Sequence, residues 1–483
     1  MTDWTRATAA QLREAYSLGE ITPVAVTQAY VERIRADRLG AYLCVRAEDA
    51  LGDARAVTAG MKSGRPAGRL AGIPVAVKDN LVTTSLPTTC ASKMLAGYRS
   101  PYDATAVRRL VSEGAIVLGK TNMDEFSMGS SSEHSAFGPV GNPHDPTRVP
   151  GGSSGGSAAA VTDRLACVAL GSDTGGSVRQ PAALCGCVGF KPTYGHVSRY
   201  GLIAFASSLD QIGTIARTVA DCALVYDCIA GPDPQDGTAV TSPVPRATEA
   251  LGRPRSRLRI GALRVAHEEG LDREVALALA RVTELCRRSG HEVQDIDLPS
   301  AALGTPTYYV IANAEASANL ARYDGVQFGH RTPRHGDLAA TYARTRGEGF
   351  GPEVKRRIML GTYVLSAGYY EAYYLRAVRV RNLIRREFRE LFRRIDVLLL
   401  PTTPTAAWPL GTKRHHPLAM YLSDIFTVTA NLAGLPAVSI PVGLTQAGLP
   451  VGLQLWGEAH SDAALLSAAA TLEAEIGYDP HRS

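Results

Sequence analysis

The sequence predicts an α/β protein, and three observations predict it. Apolar runs of strand length alternate with helical patterns along much of the chain. The 483 residues, 45% hydrophobic and 20% charged, suffice for one large α/β unit or for several domains. No internal repeat or low-complexity tail breaks the pattern.

The elements follow in order. Thr22-Pro23 reads as an N-cap with proline at the first helical position, opening a helix towards Arg38. Ile73–Val77 is a strand, Thr105–Glu113 a helix stopped by Gly114, and Ala115–Leu118 the next strand, a βαβ-like unit. A helix over Ser154–Val161 should follow a glycine-rich loop directly, placing Ser153 at its positive end. Thr218–Ala230 is a further helix closed by Gly231-Pro232, and Gly231–Arg257, rich in Pro, Asp and Thr, is a surface connection. A second βαβ pattern runs through Leu258–Leu263, Glu274–Arg288 and Glu292–Ile296. Residues 305–395 read as mostly helical, and strands return at Val397–Leu400, Ala437–Pro441 and Val451–Leu455. Eight arginines between Arg376 and Arg394 crowd one helix whose apolar face carries Val380, Ile384, Phe388, Leu391 and Ile395. A solvated face paired with Glu387 and Glu390 explains them better than a tRNA-binding helix.

Composition narrows the function. A net charge of +5 is too small for this length to imply a nucleic-acid groove by itself. No stretch approaches a membrane span, and Met1-Thr2-Asp3-Trp4 does not open a signal peptide. The eight cysteines are scattered, and Cys185-Gly186-Cys187 lacks zinc spacing, so buried reduced thiols in a cytoplasmic protein are expected, with no metal site. Gly151–Ser157 lacks the lysine of a phosphate-binding loop, so neither ATP nor another cofactor is expected on this chain.

Chemistry concentrates in three segments. Lys78 ends the apolar run Ile73-Pro74-Val75-Ala76-Val77, where an ammonium is costly to bury unless its head reaches water. Two serine-rich loops follow, Gly151-Gly152-Ser153-Ser154-Gly155-Gly156-Ser157 and Gly171-Ser172-Asp173-Thr174-Gly175-Gly176-Ser177. A hydroxyl nucleophile needs a base, and an amide substrate needs backbone N–H groups for its oxyanion; these segments offer both. Asp173 and Arg179 flank the second loop as an expected ion pair. Gly151-Gly152-Ser153-Ser154-Gly155 also fits Gly-x-Ser-x-Gly, which would make Ser153 the nucleophile with His330 or His460 as its base.

The three segments resemble the amidase signature family. The resemblance implies Lys78 as the base, Ser153 as a relay on a cis peptide bond, Ser177 as the nucleophile, and the backbone of Thr174, Gly175, Gly176 and Ser177 as the oxyanion hole. It also implies one domain over 1–483, a mixed sheet with helices on both sides, and a signature core at 65–230. Gly119–Phe126, Met128–Ser131, Lys191–Gly195, Ser207–Gly213, Gly347–Gly351, Glu353–Ile358, Asp424–Thr427 and Ala430–Pro436 extend the likeness. They resemble the branch of that family formed by glutaminase subunits of tRNA-dependent amidotransferases. That branch implies a glutamine pocket completed by the helical region 300–436, with Arg357 on the α-carboxylate, Asp424 on the α-ammonium and Tyr308 alongside. Arg356 competes with Arg357 for the first role, and Asp424 could instead cap a helix over Ile425–Ala430. The partners implied are the B and C subunits of the amidotransferase, with ATP and Mg²⁺ used on the partner and misacylated tRNA contacted mainly there.

Overall fold

Eleven strands of the computed structural model form one sheet: Tyr42–Val45 (β1), Pro74–Lys78 (β2), Ile116–Thr121 (β3), Val168–Asp173 (β4), Val188–Lys191 (β5), Gln211–Ala216 (β6), Arg259–Leu263 (β7), Glu292–Ile296 (β8), Val397–Pro401 (β9), Ala437–Leu444 (β10) and Pro450–Trp456 (β11). The structure describes residues 3–64, 67–252, 257–264, 270–334 and 336–479. Spatial order is β1-β3-β2-β4-β6-β5-β10-β11-β9-β7-β8. The pairs β3–β2, β2–β4, β9–β7 and β7–β8 are parallel and the others antiparallel, so the sheet is mixed. Every residue of β2, β3, β4, β6, β9 and β11 is buried. Because neighbouring side chains point to opposite faces, a strand buried throughout is covered on both sides. One large α/β domain results.

Local signals account for the helix boundaries. The Thr22 hydroxyl accepts from the Ala25 N–H and opens the helix Pro23–Arg35. Thr218 does the same for Val219–Ile229 through the N–H of Asp221. Gly114, at φ +82°, turns the chain from Thr105–Ser112 into β3; a Cβ there would lie 2.8 Å from the Ala71 backbone. The connection expected over Gly231–Arg257 holds a short helix at Ala247–Leu251; its residues 253–256, like Met1 and Thr2, lie outside the described residues. All eight cysteines are free thiols, seven of them buried. No helix among the described residues is long and apolar enough to cross a membrane.

Two expectations need correction. In the arginine-rich helix Arg376–Phe392, Ile384, Phe388 and Leu391 are buried as the spacing requires. Arg381, however, leaves the solvated face: its guanidinium donates to the carbonyls of Leu432 and Ser208 and to the Ser208 hydroxyl, all at 2.8 Å. Of the two expected acidic partners, Glu390 pairs with Arg393 at 2.7 Å, while Glu387 takes the hydroxyl of Ser300 instead. Asp424 caps no helix either. It ends the turn Leu422–Asp424, and the next helix, Val428–Ala433, begins after Thr427.

Candidate active site

Lys78 is the last residue of β2, and Asp173 the last of its parallel neighbour β4. Pairing of Val77 with Leu170 brings Lys78 beside Gly171 and Ser172, at the carboxyl ends of adjacent parallel strands, where α/β sheets place their sites. The lysine is fully buried. Its Nζ lies 2.7 Å from Ser153 Oγ, 2.8 Å from Ser154 Oγ and 2.9 Å from Ser172 Oγ. Burial drives its pKa down to about 7, against the opposing charges of Asp124 and Asp173.

A neutral amine has two N–H donors and one lone pair to share among these neighbours. Ser154 Oγ donates to the Ser172 carbonyl at 3.1 Å, so towards Lys78 it accepts. Ser172 Oγ accepts from Lys78, and also from Asn80 Nδ2 at 2.8 Å. With the two N–H groups directed at Ser154 and at Ser172, whose carbonyl also lies 3.3 Å from Nζ, the lone pair is available to Ser153, whose Oγ has no other partner among the described residues. Ser153 can therefore give its proton to Lys78 and take one from a further hydroxyl.

The serine loops are bound to each other. The Gly152–Ser153 peptide is cis. The Ser154 N–H donates to the Ser177 carbonyl at 3.1 Å. Gln180 spans the gap, accepting from the Gly152 N–H and donating to the Ser130 carbonyl, both at 2.8 Å. Ser177 is 8% exposed, and no hydrogen bond from a described residue reaches its Oγ. His330 and His460, the bases required by the Gly-x-Ser-x-Gly alternative, bond elsewhere: His330 to Glu348 at 3.0 Å and His460 to His196 at 2.8 Å.

The loop before Ser177 is held from below. Asp173 and Arg179, both fully buried, form a two-pronged pair with contacts of 3.0 Å each. Arg179 also donates to Asn431 Oδ1 at 2.7 Å and Gln454 Oε1 at 2.9 Å. Burial pushes the Asp173 carboxyl up, but the guanidinium outweighs it and holds the group at about 2. One oxyanion expectation changes here. The Gly176 N–H donates to Asp173 Oδ1 at 2.9 Å and is committed to the loop. The N–H groups of Gly175 and Ser177 have no acceptor among the described residues and stay open. Thr174 anchors the loop sideways, its hydroxyl donating to Asp210 at 2.6 Å. Gly175 sits under Tyr308, and a Cβ there would lie 2.6 Å from the ring.

Beside this loop lies a boxed cation. Arg357, on the helix Pro352–Val364, is 2% exposed, whereas the neighbouring Arg356 side chain is 40% exposed. That difference selects Arg357 as the inward-facing arginine. Its guanidinium lies 5.3 Å from the Tyr421 ring, 5.5 Å from Tyr309 and 5.6 Å from Phe205. Nε donates to Glu353 at 2.8 Å, and the two terminal nitrogens donate to no described residue. Asp424 is buried nearby, one oxygen accepting from the Ser130 hydroxyl. Burial raises its carboxyl to about 7, against the Ser130 bond and the Arg357 charge. Tyr308 is buried at the junction of the two halves, within the fields of Arg357, Asp424 and Asp173. Ser130, Tyr309, Tyr421 and Glu353 do not stand out from the sequence as site residues, although Ser130 and Glu353 lie inside its conspicuous motifs.

An amidase family model matches residues 25–466. The A subunit of glutamyl-tRNA(Gln) amidotransferase from Trichodesmium erythraeum is 53% identical over 455 residues, covering 93% of this chain and 94% of the relative. The relative of the same name from Moorella thermoacetica is 54% identical over 477 residues, 98% of each chain. Among solved structures, the A subunit of glutamyl-tRNA(Gln) amidotransferase from Thermotoga maritima aligns with a TM-score of 0.81 at 41% identity, covering 98% of this chain and 95% of that one. The peptide amidase from Stenotrophomonas maltophilia aligns at 0.82 and 31% identity, with 99% of both chains covered.

Proposed function

Because the chain belongs to the amidase family, we propose that it is the glutaminase component of a tRNA-dependent amidotransferase, hydrolysing glutamine through an acyl-enzyme on Ser177. The observation that carries the reading is the coexistence of two features: a buried lysine with a pKa of about 7 on the Ser153 hydroxyl, and a boxed guanidinium whose two terminal nitrogens have no partner among the described residues. A simple amidase needs the first feature alone. The α-carboxylate and α-ammonium of glutamine need a cation and an anion, and Arg357 and Asp424 supply them, with Tyr308 alongside.

The proton passes from Ser177 through Ser153 to Lys78 as Ser177 Oγ attacks the carboxamide carbon. The open N–H groups of Gly175 and Ser177 hold the oxyanion. Lys78 then returns the proton along the same path to the leaving nitrogen, and ammonia departs. Water, deprotonated by the same relay, attacks the glutamyl ester and frees glutamate and the Ser177 hydroxyl. The name of the relatives supports glutamyl-tRNA(Gln) as the destination of the ammonia; aspartyl-tRNA(Asn) presents the same carboxylate chemistry. Activating that carboxylate takes ATP and Mg²⁺, which belong in this scheme to the partner B subunit, with the C subunit completing a cytoplasmic assembly. The test is ammonia release from glutamine, by the lone chain and with its partners and misacylated tRNA. Turnover that rises with the partners supports the reading; better turnover of simple amides by the lone chain contradicts it.

A further inference from the structure

A guanidinium that must grip a carboxylate has to present one edge of its fork, and an arginine side chain has many rotamers in which it does not. Glu353 and Arg357 lie four residues apart on the helix Pro352–Val364 and therefore on one face. Glu353 Oε1 accepts from Arg357 Nε at 2.8 Å and from the Tyr421 hydroxyl at 3.0 Å. Tyr421 in turn stacks on Tyr309, with ring centroids 4.0 Å apart, closing the box around the guanidinium. With Nε taken, the edge formed by the two terminal nitrogens is the one left for a ligand.

Charge raises a second requirement. A carboxylate that neutralised Arg357 completely would remove the attraction for an incoming anion. Glu353 is shared: its other oxygen accepts from Arg356, whose side chain stands on the outer side of the helix against a cleft of about 460 Å³. The Arg356–Glu353–Arg357 group thus keeps one net positive charge, and the free fork of Arg357 is where it faces the pocket. Burial pushes the Glu353 carboxyl up, but the charge and hydrogen bond of Arg357 outweigh it, with smaller help from His134 and then Arg356, and hold the group below the ordinary carboxylate range.

We propose that Glu353 is a positioning residue that aims the fork of Arg357 at the substrate α-carboxylate, and that Arg356 preserves the positive charge this pairing would otherwise cancel. The inference rests on the glutamine-pocket reading. Its test is steady-state glutamine hydrolysis by the full chain in its native assembly, with kcat and KM resolved. Glu353→Asp keeps the charge but withdraws the carboxylate from Nε. Arg356→Gln removes the outer charge at a half-exposed position and leaves the core packing alone. Each raises KM for glutamine by about tenfold, the scale of one charged hydrogen bond, and leaves kcat within about twofold. Tyr421→Phe, which removes only the hydroxyl, gives a smaller rise in the same direction. Arg357→Ala, run in parallel, separates two failures. An unchanged KM in the Glu353 and Arg356 variants alongside a raised KM in Arg357→Ala overturns the positioning role and leaves the pocket standing. An unchanged KM in Arg357→Ala removes the pocket, and this inference with it. A fall in kcat matching the rise in KM marks general loosening and also overturns it.

Discussion

On the proposed reading, the pH dependence of glutamine turnover should carry a two-proton signature set by the two halves of the site. Lys78 must be neutral to take a proton, and burial brings its pKa down from 10.5 to about 7. In the proposed pocket Asp424 has to be ionised to bind the α-ammonium, and burial brings its pKa up from 3.8 to about 7. Below pH 7 both groups are protonated into the wrong state, so both losses run the same way. At pH 6 about a tenth of each is in the right form, leaving roughly a hundredth of the free enzyme competent. In the complex, the bound ammonium holds Asp424 ionised, and Lys78 alone still titrates. On the acid side log(kcat/KM) should therefore rise with a slope approaching two, log kcat with a slope of one, and KM should fall about tenfold per pH unit. The assay is ammonia release from glutamine between pH 5 and 8, with Asp424→Asn as the comparison. That variant should lose the second proton, its kcat/KM rising with a slope of one. A slope of one for kcat/KM in the unaltered chain, or a KM independent of pH, would refute the pairing of a neutral lysine with a titrating Asp424.

Other perturbations have defined outcomes. Ser177→Ala should abolish glutamine-dependent transamidation while sparing the reaction supplied with ammonium, measured as amidated tRNA; loss of both in an intact assembly would contradict the division of labour. Gly175→Ala places a Cβ 2.6 Å from the Tyr308 ring, displacing either the loop that carries the open N–H groups or the pocket wall. It should lower kcat/KM by about a hundredfold, the scale of one oxyanion donor, with little change in thermal midpoint. Arg179→Leu strands the Asp173 carboxylate in the core and should cost about 3–5 kcal/mol, read as a lowered denaturation midpoint. The sign with pH follows from the depressed folded pKa of Asp173, about 2 against an ordinary 3.8. Its stabilising contribution is present above pH 4 and is lost as pH falls towards 2, so the gap between the two proteins should narrow in acid.

Much of the fold was legible because its elements carry local signals. Thr22-Pro23 and Thr218 announce helix starts by capping chemistry, and Ile73–Val77 is an apolar run that only a strand of that length fits. The unread strands are β1, β4, β5 and β6, of which β4 ends at the site. Val168-Ala-Leu-Gly-Ser-Asp (β4) contains small and polar residues and is buried on both faces, so it shows neither alternation nor bulk. Val188–Lys191 (β5) and Tyr42–Val45 (β1) span four residues each, too short for a period. Strand order was out of reach altogether, since β5 lies between β6 and β10 through pairings distant in sequence. At the site, Lys78, Ser153 and Ser177 stood out because a lysine in an apolar strand and two glycine-serine loops are chemically conspicuous. Glu353 and Tyr421 did not: a glutamate beside two arginines reads as an ordinary helix surface, and only the fold reveals that one of the arginines points inward. The bond from the Gly176 N–H to Asp173 was hidden for a similar reason, because nothing in Thr174-Gly175-Gly176 marks which amide Asp173 claims.

The central claim is that Ser177, and not Ser153, carries the glutamyl group. The most direct measurement is peptide mass spectrometry of the chain acid-quenched during glutamine turnover. A glutamyl ester is expected on the peptide at Ser177, absent in Ser177→Ala and abolished with Lys78→Ala. An adduct on Ser153, or an ester at Ser177 that forms at full rate without Lys78, would contradict it.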